Sequence, residues 1–234
     1  MSPLALVTGA AHRLGKVFAL TLAGQGFDIL LHYHQSSDAA LQTQAEIESA
    51  GAHVTLCQAD LTDPAQIQSL VSNFDSLNVL VNSAAFMPSG NVDALTLENW
   101  DTALDLNLRA PFLLAQECAG KMTDGGLIIN VTDVGAQKAW SRYPSYTVSK
   151  AGLESLTRIL ARALAPKIRV NAIAPGLVLQ SEIVSEQEWQ KLINRIPLKR
   201  SARTAEIASA LEFLLKNEYI TGQTIVVDGG YSLI

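Results

Sequence analysis

The sequence predicts one α/β domain spanning residues 1–234, a doubly wound parallel sheet of about seven strands with helices on both faces. Three observations carry this expectation. Short β-rich apolar runs alternate with longer segments of helical periodicity, as in parallel strands joined by crossover helices. A glycine-containing turn, Thr8 to Gly15, follows the first run. No Pro/Gly/Ser-rich linker, charge block or internal repeat breaks the alternation.

In chain order, LALVT at Leu4 to Thr8 reads as the first strand, with a helix over 13–25 after it. DILLHY at Asp28 to Tyr33 is the second, and a helix over 36–50 leads to the third, HVTLC at His53 to Cys57. Asp63 and Pro64 supply a cap and a first-turn proline for a helix over 64–74. NVLVN at Asn78 to Asn82 is the fourth strand, followed by a long helix over 96–122. LIINV at Leu127 to Val131 and IRVNAI at Ile168 to Ile173 flank a helix over 146–165. Gly176 to Ala202 is the least regular stretch; charged and Trp-containing, it reads as a short helical lid over a site or as a solvated helix pair. A helix over 204–216 capped by Thr204, then TIVVD at Thr224 to Asp228, completes the pattern.

A chain that is 48% hydrophobic and 17% charged can bury one substantial core. Its net charge of -5 argues against a surface built for nucleic acid. Cys57 and Cys118 form no CxxC pair and have no Cys/His cluster around them, so neither a disulfide framework nor a metal site is expected. There is no basic stretch leading into an apolar leader and no run of 18 apolar residues, which predicts a cytoplasmic protein without a membrane span.

The turn VTGAAHRLGK, Val7 to Lys16, suits phosphate binding. Glycines let backbone N–H groups approach an anion, and a helix N-terminus favours negative charge. The plainer alternative is a tight strand-to-helix turn without a ligand. After the second strand the sequence is HYHQSS, His32 to Ser37, with no carboxylate to meet an adenosine ribose hydroxyl. Arg13, His34 and the Ser36 hydroxyl offer charge and hydrogen bonds to a 2'-phosphate instead, which predicts NADPH as cofactor. Otherwise Arg13 is an exposed helix-start arginine, and His32 and His34 are ordinary strand-edge packing.

In YPSYTVSKAG only Tyr146 has a lysine, Lys150, four residues on. That spacing puts both on one helix face, where the ammonium can lower the phenol pKa and aid proton exchange. Alone, such a pair is also a common surface contact. With its context, the chain resembles the short-chain dehydrogenases/reductases over nearly its full length. The resemblance rests on TGAAHRLG, Asp60 in QADLTD, NSAA at Asn82 to Ala85, Asn107 in LDLNLRAPF, Tyr146 with Lys150, NAIAPGLV at Asn171 to Val178, and GQTIVVDGG. It implies a Rossmann-type reductase with Tyr146 as proton donor and Lys150 also on the nicotinamide ribose. It further implies Asp60 at the adenine, Asn82 and Ala84 in the cleft wall, and Asn107 holding a water behind Lys150. Gly9, Leu14, Gly15, Leu61, Pro175 and Gly176 join the implied cofactor contacts.

Departures from the family pattern narrow the expectation. Thirteen residues before Tyr146, where most of the family carries a serine, stands Asp133. The plainer reading makes Asp133 a loop cap and lets Thr132 supply the hydroxyl. Arg13 in the glycine turn, LHYHQSS and Asp133 together resemble the pteridine reductase branch, including dihydromonapterin reductase-like proteins. A carboxylate suits the N–H edge of a pterin, and reducing a C=N bond needs a proton at ring nitrogen as well as hydride at carbon. Arg13 could touch both cofactor phosphate and pterin, with Phe86 or Met87 covering the ring. Gln35, where that branch often has arginine, weakens NADPH selectivity; Gln180 replaces a common threonine at the carboxamide. The expected activity is NADPH-dependent reduction of a dihydropterin to its tetrahydro form. The alternatives are a carbonyl reductase acting on a 3-oxoacyl thioester or small ketone, and a non-catalytic NADP-binding regulator. The resemblance and the wide apolar faces over 96–122 and 146–165 imply a homotetramer.

Overall fold

The computed structural model describes residues 2–138, 140–181 and 184–234. The strands are β1 Leu4–Val7, β2 Asp28–Tyr33, β3 Val54–Gln58, β4 Leu77–Asn82, β5 Met122–Val131, β6 Ile168–Pro175 and β7 Thr224–Val227. They form one parallel sheet in the order β3-β2-β1-β4-β5-β6-β7. The helices are α1 Arg13–Gly24, α2 Ser37–Ser49, α3 Pro64–Ser72, α4 Leu97–Leu104, α5 Ala110–Ala119, α6 Pro144–Leu164, α7 Glu186–Arg195 and α8 Thr204–Lys216.

Both sheet faces are buried, which is why the central strands read as continuous apolar runs. Ala5 and Val7 of β1 face one core with Phe18 and Leu22 of α1, Ile47 of α2 and Leu211 of α8. Leu6, between them, faces the other core with Leu70 of α3, Leu114 of α5 and Leu160 of α6. The chain winds outward from β1 through β2 to β3, then returns past β1 to β4. A cleft therefore opens beyond the carboxyl ends of β1 and β4, where ligands bind in open sheets of this kind.

Three expected boundaries differ. The helix foreseen over 96–122 is broken by a π-helical turn, Asp105–Arg109, between α4 and α5. Pro111 lies in the first turn of α5. Its ring has no N–H to donate and would crowd the carbonyl of Asn107 in a regular helix, so the chain widens there and Asn107 turns inward, fully buried. The fifth strand begins at Met122 because its register against β4 jumps from Leu77–Met122 to Val79–Leu127, leaving Gly125 at φ 82° in an irregular stretch between them. Thr204 does not cap α8: Arg203 holds that position, and its N–H donates to the Glu206 carboxylate at 2.7 Å. Asp63 does cap α3, accepting from the Ala65 N–H at 2.9 Å.

The stretch foreseen as a lid holds α7, which has no buried residue. Glu182 and Ile183, within that stretch, lie outside the described residues. Among the described residues no helix is long and apolar enough to cross a membrane, and no His/Cys/Asp/Glu cluster could hold a metal ion. Cys57 and Cys118 are both free and buried.

Candidate active site

The cleft is built first from backbone. Gly9, at φ 63°, packs against the β4 end so closely that a Cβ would lie 2.9 Å from Ala84 Cα. A Cβ on Gly15 would lie 2.1 Å from the Gly9 carbonyl oxygen. Only glycine fits either position. Thr8 ties the turn to β4, its hydroxyl accepting from the N–H groups of Ser83 at 2.9 Å and Ala84 at 3.0 Å. At the start of α1, His12 makes no side-chain capping bond and the first turn has no acidic residue. The amides of Leu14 and Gly15 thus begin a helix whose dipole is uncompensated, a fitting seat for a phosphate. Arg13 takes φ 53°, a left-handed conformation that costs a non-glycine residue about 1 kcal/mol.

The expected grouping of Arg13 with His34 and Ser36 is not what the structure brings together. The Arg13 guanidinium donates to the carbonyls of Leu179 at 2.9 Å and Gln180 at 3.2 Å, beyond β6. His34 lies 3.9 Å from Asp60, beyond β3 on the other side of β1. Ser36 is the residue before α2, where its side chain makes no capping bond. Asp60 accepts from the N–H and hydroxyl of Thr62 at 2.9 and 2.7 Å, with Leu61 buried beside it. Gly176 follows Pro175 at the end of β6, and a Cβ there would lie 2.8 Å from Asp228 Cα.

The side chains expected to be catalytic converge from the end of β5 and from α6. Tyr146 and Lys150, four residues apart, are both buried on the inner face of α6. The Tyr146 hydroxyl donates to Asp133 Oδ2 at 2.9 Å. Asp133 Oδ1 accepts from the Gly135 N–H at 2.7 Å, capping the 3-10 turn Val134–Gln137. The carboxylate is therefore a loop cap and a partner of the tyrosine at once. Thr132 is no substitute, because its hydroxyl faces the Ile173 carbonyl of β6. Lys150 donates to the Val131 carbonyl at 2.6 Å and sits 5.7 Å from the Tyr146 ring centre.

Burial governs the proton affinities. Burial pushes Asp133 up to about 6 against the bonds from Gly135 and Tyr146, and pushes Lys150 down to about 8. The expectation that Lys150 lowers the phenol pKa does not hold for this form: burial, with the Asp133 carboxylate beside it, raises Tyr146 well above its ordinary value. The proton therefore rests on Tyr146, which donates it in a hydrogen bond to the Asp133 carboxylate beside the Lys150 ammonium.

Asn107 does not reach Lys150. Its amide spans the backbone of Phe86, accepting from the N–H and donating to the carbonyl at 2.8 Å each, and also donates to Ser149 at 3.0 Å. Ser149 in turn donates to the Tyr146 carbonyl at 2.7 Å. Phe86 is thus clamped and half-buried, whereas Met87 is 40% exposed. Asn82 donates to Asn130 at 2.8 Å, Asn130 to Thr157 at 2.9 Å, and the Asn82 Oδ1 is buried without a partner among the described residues.

Sequence reasoning missed the roles of Thr8, Ser149 and the Asn130–Thr157 pair, and took His32 as strand-edge packing. The serine three residues after Tyr146 was a usable signal, since helical spacing keeps it on the tyrosine's face.

The family model described as enoyl-(acyl carrier protein) reductase matches residues 9–232. The chain is 35% identical to 3-oxoacyl-[acyl-carrier-protein] reductase FabG of Staphylococcus aureus strain Mu50, covering 98% of both chains. The structure of FolM alternative dihydrofolate reductase 1 from Brucella canis complexed with NADP is similar at TM-score 0.92 and 34% identity, over 99% of this chain and 94% of that one. The angucycline C-6 ketoreductase LanV with bound NADP is similar at TM-score 0.94 and 30% identity, over 99% of this chain and 96% of that one.

Proposed function

The chain belongs to the short-chain dehydrogenase/reductase family, and from that premise we propose that it is an NADPH-dependent reductase of a pteridine ring, taking a dihydropterin to the tetrahydro form. The Asp133–Tyr146 hydrogen bond of 2.9 Å carries the reading. A ketone needs one hydroxyl-bearing acid beside it. A C=N bond in an amino-pyrimidine ring also gains from a carboxylate that accepts its N–H groups while the proton is delivered.

The nicotinamide of NADPH supplies the hydride. The chain's residues orient and protonate. Gly9 and Gly15 offer close backbone approach, and Leu14 with Gly15 a helix N-terminus, to the pyrophosphate, and Asp60, Leu61, Asn82, Ala84, Pro175 and Gly176 line the rest of the cofactor cleft. His34 and Ser36, after β2, offer hydrogen bonds to the 2'-phosphate; Arg13 joins them only by leaving the carbonyls of Leu179 and Gln180, through which it reaches the substrate side. Tyr146 donates the proton, Asp133 holds the substrate edge and shares that proton, and Lys150 keeps the pair electrostatically balanced. Asn107 fixes Phe86, which covers the ring.

The carbonyl reading has the stronger support from sequence relatives, since the S. aureus match is a 3-oxoacyl thioester reductase. One experiment separates the two: NADPH oxidation measured side by side with a dihydropterin, dihydrofolate and a 3-oxoacyl thioester. Turnover of the thioester alone would overturn the pteridine reading. We also propose a homotetramer, in which Phe112, Val148 and Ile159, exposed on α5 and α6, become covered. A monomer by light scattering at micromolar concentration would refute it.

A further inference from the structure

His32 is a buried titratable group that neither hydride nor proton transfer uses. It stands in β2 with 2% of its surface exposed. Its Nδ1 accepts the Gly9 N–H at 3.1 Å, and its Nε2 faces the Ala59 carbonyl at 3.0 Å. An amide N–H can only donate and a carbonyl can only accept, so the two contacts select the neutral ring with hydrogen on Nε2. A protonated ring would turn a second donor against the Gly9 N–H. Burial holds the pKa down to about 4, with the Ala59 bond opposing; His34 lowers it and Asp60 raises it, and Cys57 is its register partner on β3.

The two partners belong to adjoining segments of the cleft wall. Gly9 opens the turn that meets the pyrophosphate, and its backbone has no slack, because it is packed against Ala84. Ala59 immediately precedes Asp60, at the adenine end. The ring is the only side chain among the described residues that hydrogen-bonds both segments.

We propose that His32 is a positioning residue for NADPH, tying the glycine turn to the adenine end of the cleft so that the pyrophosphate and the adenosine of the dinucleotide meet one backbone geometry. This rests on the NADPH reading given above. Both ring nitrogens are engaged by backbone, so the residue governs cofactor affinity and leaves the chemical step alone.

The test begins with NADP+ binding to the parent protein by calorimetry; no binding removes the NADPH reading and this inference with it. Given binding, His32→Phe keeps a ring of similar size but loses both bonds. Its Kd for NADP+ is expected to rise at least tenfold, with kcat at saturating NADPH within threefold. His32→Gln, whose planar amide again offers one acceptor and one donor, is expected to restore affinity to within threefold. Unchanged affinity in His32→Phe, or a loss of kcat at unchanged affinity, overturns the proposal while leaving the NADPH reading intact. Should His32→Phe not fold, the parent decides by NMR: the Gly9 amide and the His32 Nε2–H are expected to slow together in solvent exchange, tenfold or more, when NADP+ saturates. An Nδ1–H tautomer, or exchange indifferent to NADP+, overturns it.

Discussion

Helix α6, which carries Tyr146 and Lys150, and helix α7, in the stretch foreseen as a lid, are built on opposite plans. Helix α6 buries Tyr146, Ser149, Lys150, Leu153 and Thr157 along one face and packs against the sheet. Helix α7 has no fully buried residue, only a half-buried face of Trp189, Leu192 and Ile193, and is held at its start by its own capping box. The first can fix a phenol within hydrogen-bond distance of Asp133 because buried side chains, at about 1.5–3 kcal/mol for each large apolar one, hold its register against the sheet. The second has only local bonds. Chemistry needs a fixed donor, and access needs an element that opens at little cost.

The largest test of that contrast is Tyr146→Phe. If α6 is the chemical element, kcat falls on the order of 1,000-fold or more while the Kd for NADP+ stays within threefold. Parent-like turnover would remove Tyr146 from the reaction. Asp133→Ser comes next. Serine also caps turns well, so the bond to the Gly135 N–H has a replacement and the fold is expected to persist. Dihydropterin turnover is then expected to fall about 100-fold, with thioester turnover unchanged or raised. Dihydropterin turnover equal to the parent's would leave the carboxylate a loop cap and favour the carbonyl reading.

A smaller effect concerns pH. Burial raises Asp133 to about 6 in the folded chain. A carboxylate that must accept substrate N–H groups is active when ionised, so kcat/KM for a dihydropterin is expected to fall about tenfold per unit below pH 6. The stability sign is opposite: the raised pKa favours the protonated form in the folded state, so its stabilising effect is present below the unfolded value near 3.8 and is lost as pH rises through 6. Loss of activity on acidification therefore cannot be ascribed to Asp133 unfolding the chain. An unchanged acid limb in Asp133→Ser would assign that limb to another group.

The fold was legible because alternation of apolar runs with helical segments survives in all seven strands. The break at Asp105–Arg109 was not, since the apolar periodicity runs through it; Pro111 was the local sign, and its clash falls four residues back, on Asn107. Tyr146, Lys150 and the glycines were legible because their meaning lies in short spacings. The second bond of Asp133 was not, because it depends on a 3-10 turn that brings together residues 13 apart. His32 was opaque for a similar reason: its partners lie on the turn after β1 and at the end of β3, and only strand register brings them to one ring.

Arg13 bears on the α7 side of the comparison, since it begins α1 and holds the carbonyls of Leu179 and Gln180 ahead of α7. Arg13→Ala is expected to weaken NADPH about 10 to 100-fold more than NADH, or about 1.4 to 2.7 kcal/mol. Equal losses for the two cofactors would take Arg13 off the 2'-phosphate and leave it as the tether of the loop before α7.

The smallest effect tests the independence of α7 itself. The Ser185 hydroxyl accepts from the Glu188 N–H at 3.3 Å, and the Glu188 carboxylate reaches back to the Ser185 N–H at 3.4 Å. Replacing such a cap with alanine costs about 1 kcal/mol. In a helix packed into the core, that cost would appear in global stability. In α7, which has no buried residue, it is expected to appear as local opening: amide exchange over 186–195 rises about fivefold, with Tm unchanged. Ile196, immediately after the helix, is buried with Val134 and Tyr231, so exchange should return to parent values there. A Tm lowered by several degrees in Ser185→Ala would show α7 to be coupled to the core, and the contrast between a helix fixed by packing and one held by local bonds would fail.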